Sequence, residues 1–222
     1  MRADGADPAP ARALIVFLIA AGLLLVLSAA VAMSSGVAAL DGNVDMWLHL
    51  RATPAVTKVM AAVSFLGAPT TLSVVAVAGG LLLCWRRRYA DAAMLVAVVV
   101  GGNLLNVCLK HLIRRGRPVF DDPLFTLPTY SFPSGHAMAS TAFYGLLAIY
   151  ASVNATQRHA ARAAIVAALS MIAMVCFSRV YLGLHYVSDV AGGVAEGTAW
   201  LALSVVALRY IRRRNAVVGG DR

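Results

Sequence analysis

Charge is what this chain has least of. Only 13% of its 222 residues are Asp, Glu, Lys or Arg, whereas 60% are hydrophobic and the mean hydropathy is +0.78. A soluble domain carries roughly 25% charged residues, so a water-soluble globule is excluded and a single membrane domain spanning 1–222 is expected. Cysteine is also scarce: Cys84, Cys108 and Cys176 form no C-x-x-C pair and lie in or beside apolar runs. That weighs against disulfide or metal roles and leaves packing as their expected role. The five histidines make no H-E-x-x-H, and no Walker-type phosphate loop, internal repeat or low-complexity segment is present. The net charge of +9 is not that of a nucleic-acid binder, because no basic segment is long enough to stand apart as a domain. It reads as topology charge together with an anion site.

What the chain does have is uncharged runs. Residues 1–11, with Pro8 and Pro10, read as a loose tail. Ala13–Ser34 follows, and a bilayer crossing needs roughly 20 residues. A cleaved signal peptide competes there, but its apolar core is typically about 7–15 residues, so a retained span is expected. Leu40–Thr57 reads as a short amphipathic element at the interface, with Trp47 as its anchor and His49 solvated. Val59–Trp85 stops at the Arg86–Arg88 triplet, a topology marker. Ala92–Leu109 carries Gly101, Gly102, Asn103 and Asn106, suited to close packing and interhelical hydrogen bonds. His136–Val153, Ala163–Ser178 and Val187–Leu208 complete the set, the last interrupted by Glu196, and a basic tail occupies 209–222. The expected fold is an all-α bundle of six transmembrane helices, with a long loop at Lys110–Gly135 between the third and fourth. Pro118, Pro123, Pro128 and Pro133 keep that loop from continuing as helix. Phe120, Phe125, Tyr130 and Phe132 suggest a packed cap over a site, and Asp121 and Asp122 are placed to pair with Arg114 or Arg115. Glu196 is expected to hydrogen-bond a neighbouring helix, with support of the catalytic pair as its second reading. Gly193-x-x-x-Gly197 is expected to be a close-packing surface.

Three polar islands break the apolar background. Ser178–Asp189 places Arg179, His185 and Asp189 together, and on a helix the last two, four apart, would share a face. A carboxylate bonded to one imidazole nitrogen fixes the tautomer and frees the other to attack. Pro133-Ser134-Gly135-His136 opens a span, where free backbone N–H groups cradle an anion. Lys110 closes another span, and Arg117-Pro118 follows it. Taken alone, the Arg179–His185–Asp189 cluster is equally a polar cluster at a helix end.

In order, the islands read Lys-x6-Arg-Pro, Pro-Ser-Gly-His and Ser-Arg-x5-His-x3-Asp. This resembles the three-part signature of the type 2 phosphatidic acid phosphatase superfamily, the integral-membrane lipid phosphate phosphatases, over 110–197. The resemblance implies a phosphohistidine on His185, Asp189 as its orienting carboxylate, and His136 as acid to the leaving oxygen and then base to water. It implies phosphate binding by Lys110, Arg117, Arg179, Ser134 and Gly135, with no metal or other cofactor. The implied partner is a membrane lipid phosphate: phosphatidic acid, phosphatidylglycerophosphate or undecaprenyl diphosphate. A lipid-diphosphate phosphotransferase, a phosphatase of a soluble monoester, and a non-enzymatic scaffold or anion carrier are the other readings. Resemblance, together with the Ala-rich and Arg-over-Lys composition, places the chain in a bacterial inner membrane. Six spans put twelve cations on the side of the termini and seven on the other, which favours cytoplasmic termini and an extracytoplasmic site. The sequence does not fix the oligomeric state.

Overall fold

The computed structural model describes residues 8–33, 35–125 and 127–220, and every regular element among them is helical. In chain order these are α1 (Pro8–Met33), α2 (Ser35–His49), α3 (Pro54–Leu66), α4 (Pro69–Trp85), α5 (Tyr89–Val96), α6 (Gly102–Ile113), α7 (Gly135–Asn154), α8 (Arg158–Tyr181) and α9 (Val187–Gly220). A π-helical turn, Ala97–Gly101, joins α5 to α6 without a break. Among the described residues, five stretches are long and apolar enough to cross a membrane: Pro10–Met33, Pro54–Trp85, Tyr89–Ile113, Arg158–Tyr181 and Val187–Ile211.

The expected boundaries need four corrections. Residues 1–7 of the expected tail lie outside the described residues, but Pro8–Ala11 already belong to α1. Proline in a first turn gives up an N–H that would have no acceptor anyway, so it begins a helix rather than preventing one. The run at Val59–Trp85 is two helices, because the chain breaks at Gly67-Ala68 and restarts on Pro69. A side chain at Gly67 would lie 2.3 Å from Val175 Cγ1, so the elbow rests directly on α8. The basic tail is helical as far as Gly220, continuing α9. The irregular loop begins only after Ile113, where Arg114 takes a left-handed conformation (φ 53°) and ends α6.

α7 is the helix that the others surround. It packs on α4, α6, α8 and α9, and its first half is buried almost residue by residue. Its small residues admit close neighbours: a methyl at Gly193 would sit 2.4 Å from Ser134 O, and one at Gly197 2.6 Å from Met138 O. The expected glycine surface on α9 is therefore a backbone-to-backbone contact with α7. Gly101 and Gly102 similarly receive Trp200, whose indole N–H donates to Val98 O at 3.0 Å in the π-helical turn. Cys84 and Cys108, by contrast, are exposed, whereas Cys176 is half-buried beside Ala137, Val180 and Val190. The outward faces of α1, α4 and α8 carry exposed leucine, valine and isoleucine, as a lipid-facing surface requires.

Candidate active site

Helix direction collects all three polar islands at one end of the bundle. α6 and α8 finish there, α7 and α9 start there, and the loop between α6 and α7 lies across them. A cavity of about 550 Å³ opens at this end, lined by Lys110, Arg117, Gly135, His136, Arg179 and His185, with Pro69, Val74, Val107 and Leu127 along an apolar wall. Seven of the eight predicted site residues are accounted for by this cavity and Asp189, which stands behind His185. Ser134 occupies the N-cap position of α7 beside Gly135, with no side-chain cap hydrogen bond.

The cations are held by carbonyls and hydroxyls rather than by acids. Lys110 Nζ donates to Tyr130 O at 2.7 Å and Ser131 O at 3.2 Å. Arg117 donates to Thr129 O at 2.7 Å and Leu184 O at 2.5 Å, fastening the loop to the turn that carries His185. Arg179 is 3% exposed and donates through Nη1 to Ser64 Oγ, while its Nε and Nη2 have no partner. Ser134 Oγ is likewise buried and unpaired. Buried donors without acceptors are costly and rare. Here they belong to a guanidinium and to the cap of a helix start, both suited to an anion's oxygens. Gly135 is small for a local reason: a methyl there would lie 3.0 Å from Asn106 Oδ1.

His185 does not share a helix with Asp189, as the four-residue spacing suggested. It sits in the turn before α9, made possible by Gly183 at φ 66°, and Asp189 lies in the first turn of α9. The two side chains still approach each other: His185 Nδ1 stands 3.5 Å from Asp189 Oδ2 without a hydrogen bond between them, and its Nε2 stands 3.3 Å from Arg117 Nη1. Burial, then the charges of Arg179, Arg117 and Lys110, push the His185 pKa well below the ordinary imidazole value. The ring is therefore neutral at pH 7, with Nε2 turned toward the basic cavity. Burial also lowers the Arg117 guanidinium from its usual value, partly offset by Asp189.

The chain belongs to the PAP2 superfamily. The family model described by that name matches residues 91–213. Phosphatidylglycerophosphatase B of Bacillus subtilis is 33% identical over 175 residues, covering 78% of this chain and 85% of that protein. A decaprenylphosphoryl-5-phosphoribose phosphatase of Mycobacterium tuberculosis is 34% identical over 132 residues, 56% of this chain and 64% of the other. A crystal structure described as the first transmembrane PAP2-type phosphatidylglycerolphosphate phosphatase, from B. subtilis, superposes with a TM-score of 0.72 at 30% identity, covering 89% of this chain and 94% of that one. The PAP2 chain is thus a multi-pass membrane enzyme, a phosphoric ester hydrolase acting on lipid phosphates.

Sequence reasoning missed several residues at this end. Arg115 does not pair with Asp121 or Asp122, which are exposed. It binds Asp189 Oδ1 at 2.6 Å and Asp41 Oδ2 at 2.8 Å, and its guanidinium lies 4.1 Å over the Tyr186 ring. Arg114 donates to His111 O instead. The nearer acids in sequence were the wrong ones because α2 folds over the site. His49 is not solvated either: it stacks on Phe120 with centroids 4.2 Å apart. The expected aromatic cap is partial, since Phe132 is fully buried but Phe125 is 45% exposed. Glu196 takes its structural reading: it is fully buried, and its Oε2 accepts from Asn106 Nδ2 at 2.7 Å.

Proposed function

We propose that this PAP2 phosphatase cleaves a lipid phosphate through a phosphohistidine on His185, without a metal ion. The single observation that carries this reading is the buried His185, whose Nε2 faces a cavity ringed by Lys110, Arg117 and Arg179. A phosphate monoester is a dianion, and cleaving it demands charge neutralisation and an in-line nucleophile more than covalent chemistry from the protein. The three cations and the N–H groups of the α7 start supply the first. With the proton on Nδ1 directed to Asp189, the Nε2 lone pair attacks phosphorus. An N–P bond forms, the P–O bond to the lipid breaks, and His136, protonated once the phosphate dianion enters among the cations, gives its proton to the leaving alkoxide. In the second step His136 takes a proton from water, whose oxygen attacks phosphorus, and the N–P bond breaks to release inorganic phosphate.

The apolar wall of the cavity, Val74 on α4 and Val107 on α6, supports a substrate whose tails stay among lipids while its head reaches the cations. Phosphatidylglycerophosphate is the first candidate, on the strength of the B. subtilis relative. We read α7, 20 residues long and enclosed by apolar neighbours, as the sixth span beside the five stretches above. With cytoplasmic termini, six spans turn the site to the extracytoplasmic face of a bacterial inner membrane, and the chain forms one domain with 110–197 as its catalytic part. Phosphate release from phosphatidylglycerophosphate, phosphatidic acid, undecaprenyl diphosphate and a soluble sugar phosphate, each with excess EDTA, tests this. Release from a lipid that EDTA spares is expected, and loss of all turnover to EDTA would contradict the metal-free reaction.

A further inference from the structure

The carboxylate behind His185 is itself held by an ionic relay. Asp189 is the third residue of α9, and its Oδ2 accepts the Tyr186 N–H at 3.0 Å, reaching back as capping-box acids do. Its Oδ1 is taken by Arg115 Nη1 at 2.6 Å. An arginine bound to Asp189 alone would neutralise the charge that His185 needs. Arg115 is not given to Asp189 alone: its Nη2 binds Asp41 Oδ2 at 2.8 Å. Asp41, from α2, also accepts the Ser188 N–H through Oδ1 at 3.1 Å and the Ser188 hydroxyl through Oδ2, and so serves as cap for the start of α9. Both acids are nearly sealed from solvent, Asp41 at 4% and Asp189 at 0% exposure.

We infer that Arg115 and Asp41 are positioning residues for the reaction: Arg115 locks Asp189 in place, and Asp41 shares that guanidinium so that Asp189 keeps charge for His185. The inference rests on the reading of His185 as nucleophile. Besides these three groups, the carboxyl of Asp45 on α2 lies near Asp189, protonated below about pH 8 because burial, then the charges of Asp41 and Asp189, raise its pKa, and Tyr186 lies against Arg115. His185 is faced by Lys110 of α6, Arg117 of the loop, His136 of α7 and Arg179 of α8. Those groups stay in place in every variant below, so a change in pH response reports the relay.

The two partners should move that response in opposite directions. Without Arg115, Asp189 carries its full charge to His185, the imidazolium is favoured, and the acidic limb of kcat/KM moves to higher pH. Without the Asp41 charge, Arg115 turns wholly to Asp189, and the limb moves to lower pH. The substrate's own ionisation is common to all variants and drops out of the comparison.

The experiment is a set of pH–rate profiles for full-length protein in detergent with phosphatidylglycerophosphate, comparing wild type, Arg115→Gln, Arg115→Lys, Asp41→Asn and His185→Ala. Arg115→Gln should lower kcat roughly 10- to 100-fold with KM little changed, as slight misplacement of a reacting group does. Its limb should rise by about half a pH unit, and that of Asp41→Asn should fall by a similar amount. Arg115→Lys keeps a cation on Asp189 and should leave the limb where it is in wild type. If Arg115→Gln does not fold, the near-isosteric Asp41→Asn and Arg115→Lys still carry the test. Unmoved limbs, or limbs moving together, with His185→Ala inactive, would overturn this inference alone. An active His185→Ala would overturn the nucleophile reading and this inference with it.

Discussion

The two ends of the bundle use arginine in opposite ways. At the end where α4 meets α5, Arg88 pairs with Asp91 at 2.8 Å with its side chain 53% exposed. At the other end, Arg115 pairs with Asp189 at 2.6 Å with its side chain 11% exposed. The first pair is a local i,i+3 contact that water and salt screen, so it contributes little stability. The second joins α2, the loop and α9, and breaking it would strand a buried carboxylate. The same residue type is solvated at one end and, at the other, buried beside the residues proposed to carry the reaction.

The largest effect expected from breaking this contrast is at His185. His185→Ala should cost on the order of 10⁴-fold or more in kcat, the scale of losing a nucleophile, read as phosphate release. His136→Ala comes next, at about 10²–10⁴-fold, the usual contribution of a general acid–base residue. Between the ends, Gly193→Ala forces a methyl to within 2.4 Å of Ser134 O. It should destabilise the fold by about 1–3 kcal/mol, read as a lowered melting temperature in detergent, with kcat falling because the α7 start moves.

A smaller effect sharpens the comparison at α2. Asp45 is 2% exposed with neither oxygen partnered. Burial, and then the charges of Asp41 and Asp189, raise its pKa from 3.8 to about 8. The folded protein therefore holds Asp45 protonated where the unfolded chain ionises it. By linkage, wild type loses stability as pH rises from about 3.8 toward about 8. Asp45→Asn escapes that loss, so its melting temperature should exceed the wild-type value by a margin that grows across this range and vanishes below it. At the other end Arg88→Ala should change stability by less than about 1 kcal/mol and leave kcat unaltered.

How much of this was legible in the sequence depends on distance along the chain. The uncharged runs located most helices because lipid-facing surfaces need continuous apolar residues. The three polar islands stood out against that background, and the structure gathers them at one cavity. Where the reading failed, the partner lay far away. Arg115 was matched to Asp121 and Asp122, a few residues on, whereas its partners Asp41 and Asp189 are brought in by α2 and α9. His49 was read as solvated because nothing in α2 announces Phe120. Boundaries failed where a backbone break left the hydrophobic run intact, as at Gly67-Ala68, or where polarity changed without ending a helix, as in α9 beyond Leu208.

The central claim is that phosphorus bonds to His185. The most direct measurement is acid-free rapid quenching of the enzyme during turnover of a lipid labelled at phosphorus, followed by mass spectrometry of the peptide carrying 178–189. A phosphoryl group on His185, labile to acid, stable to base and absent from His185→Ala, is the expected result. Turnover with no phosphorylated histidine, under conditions in which His136→Ala fails to accumulate one, would contradict it.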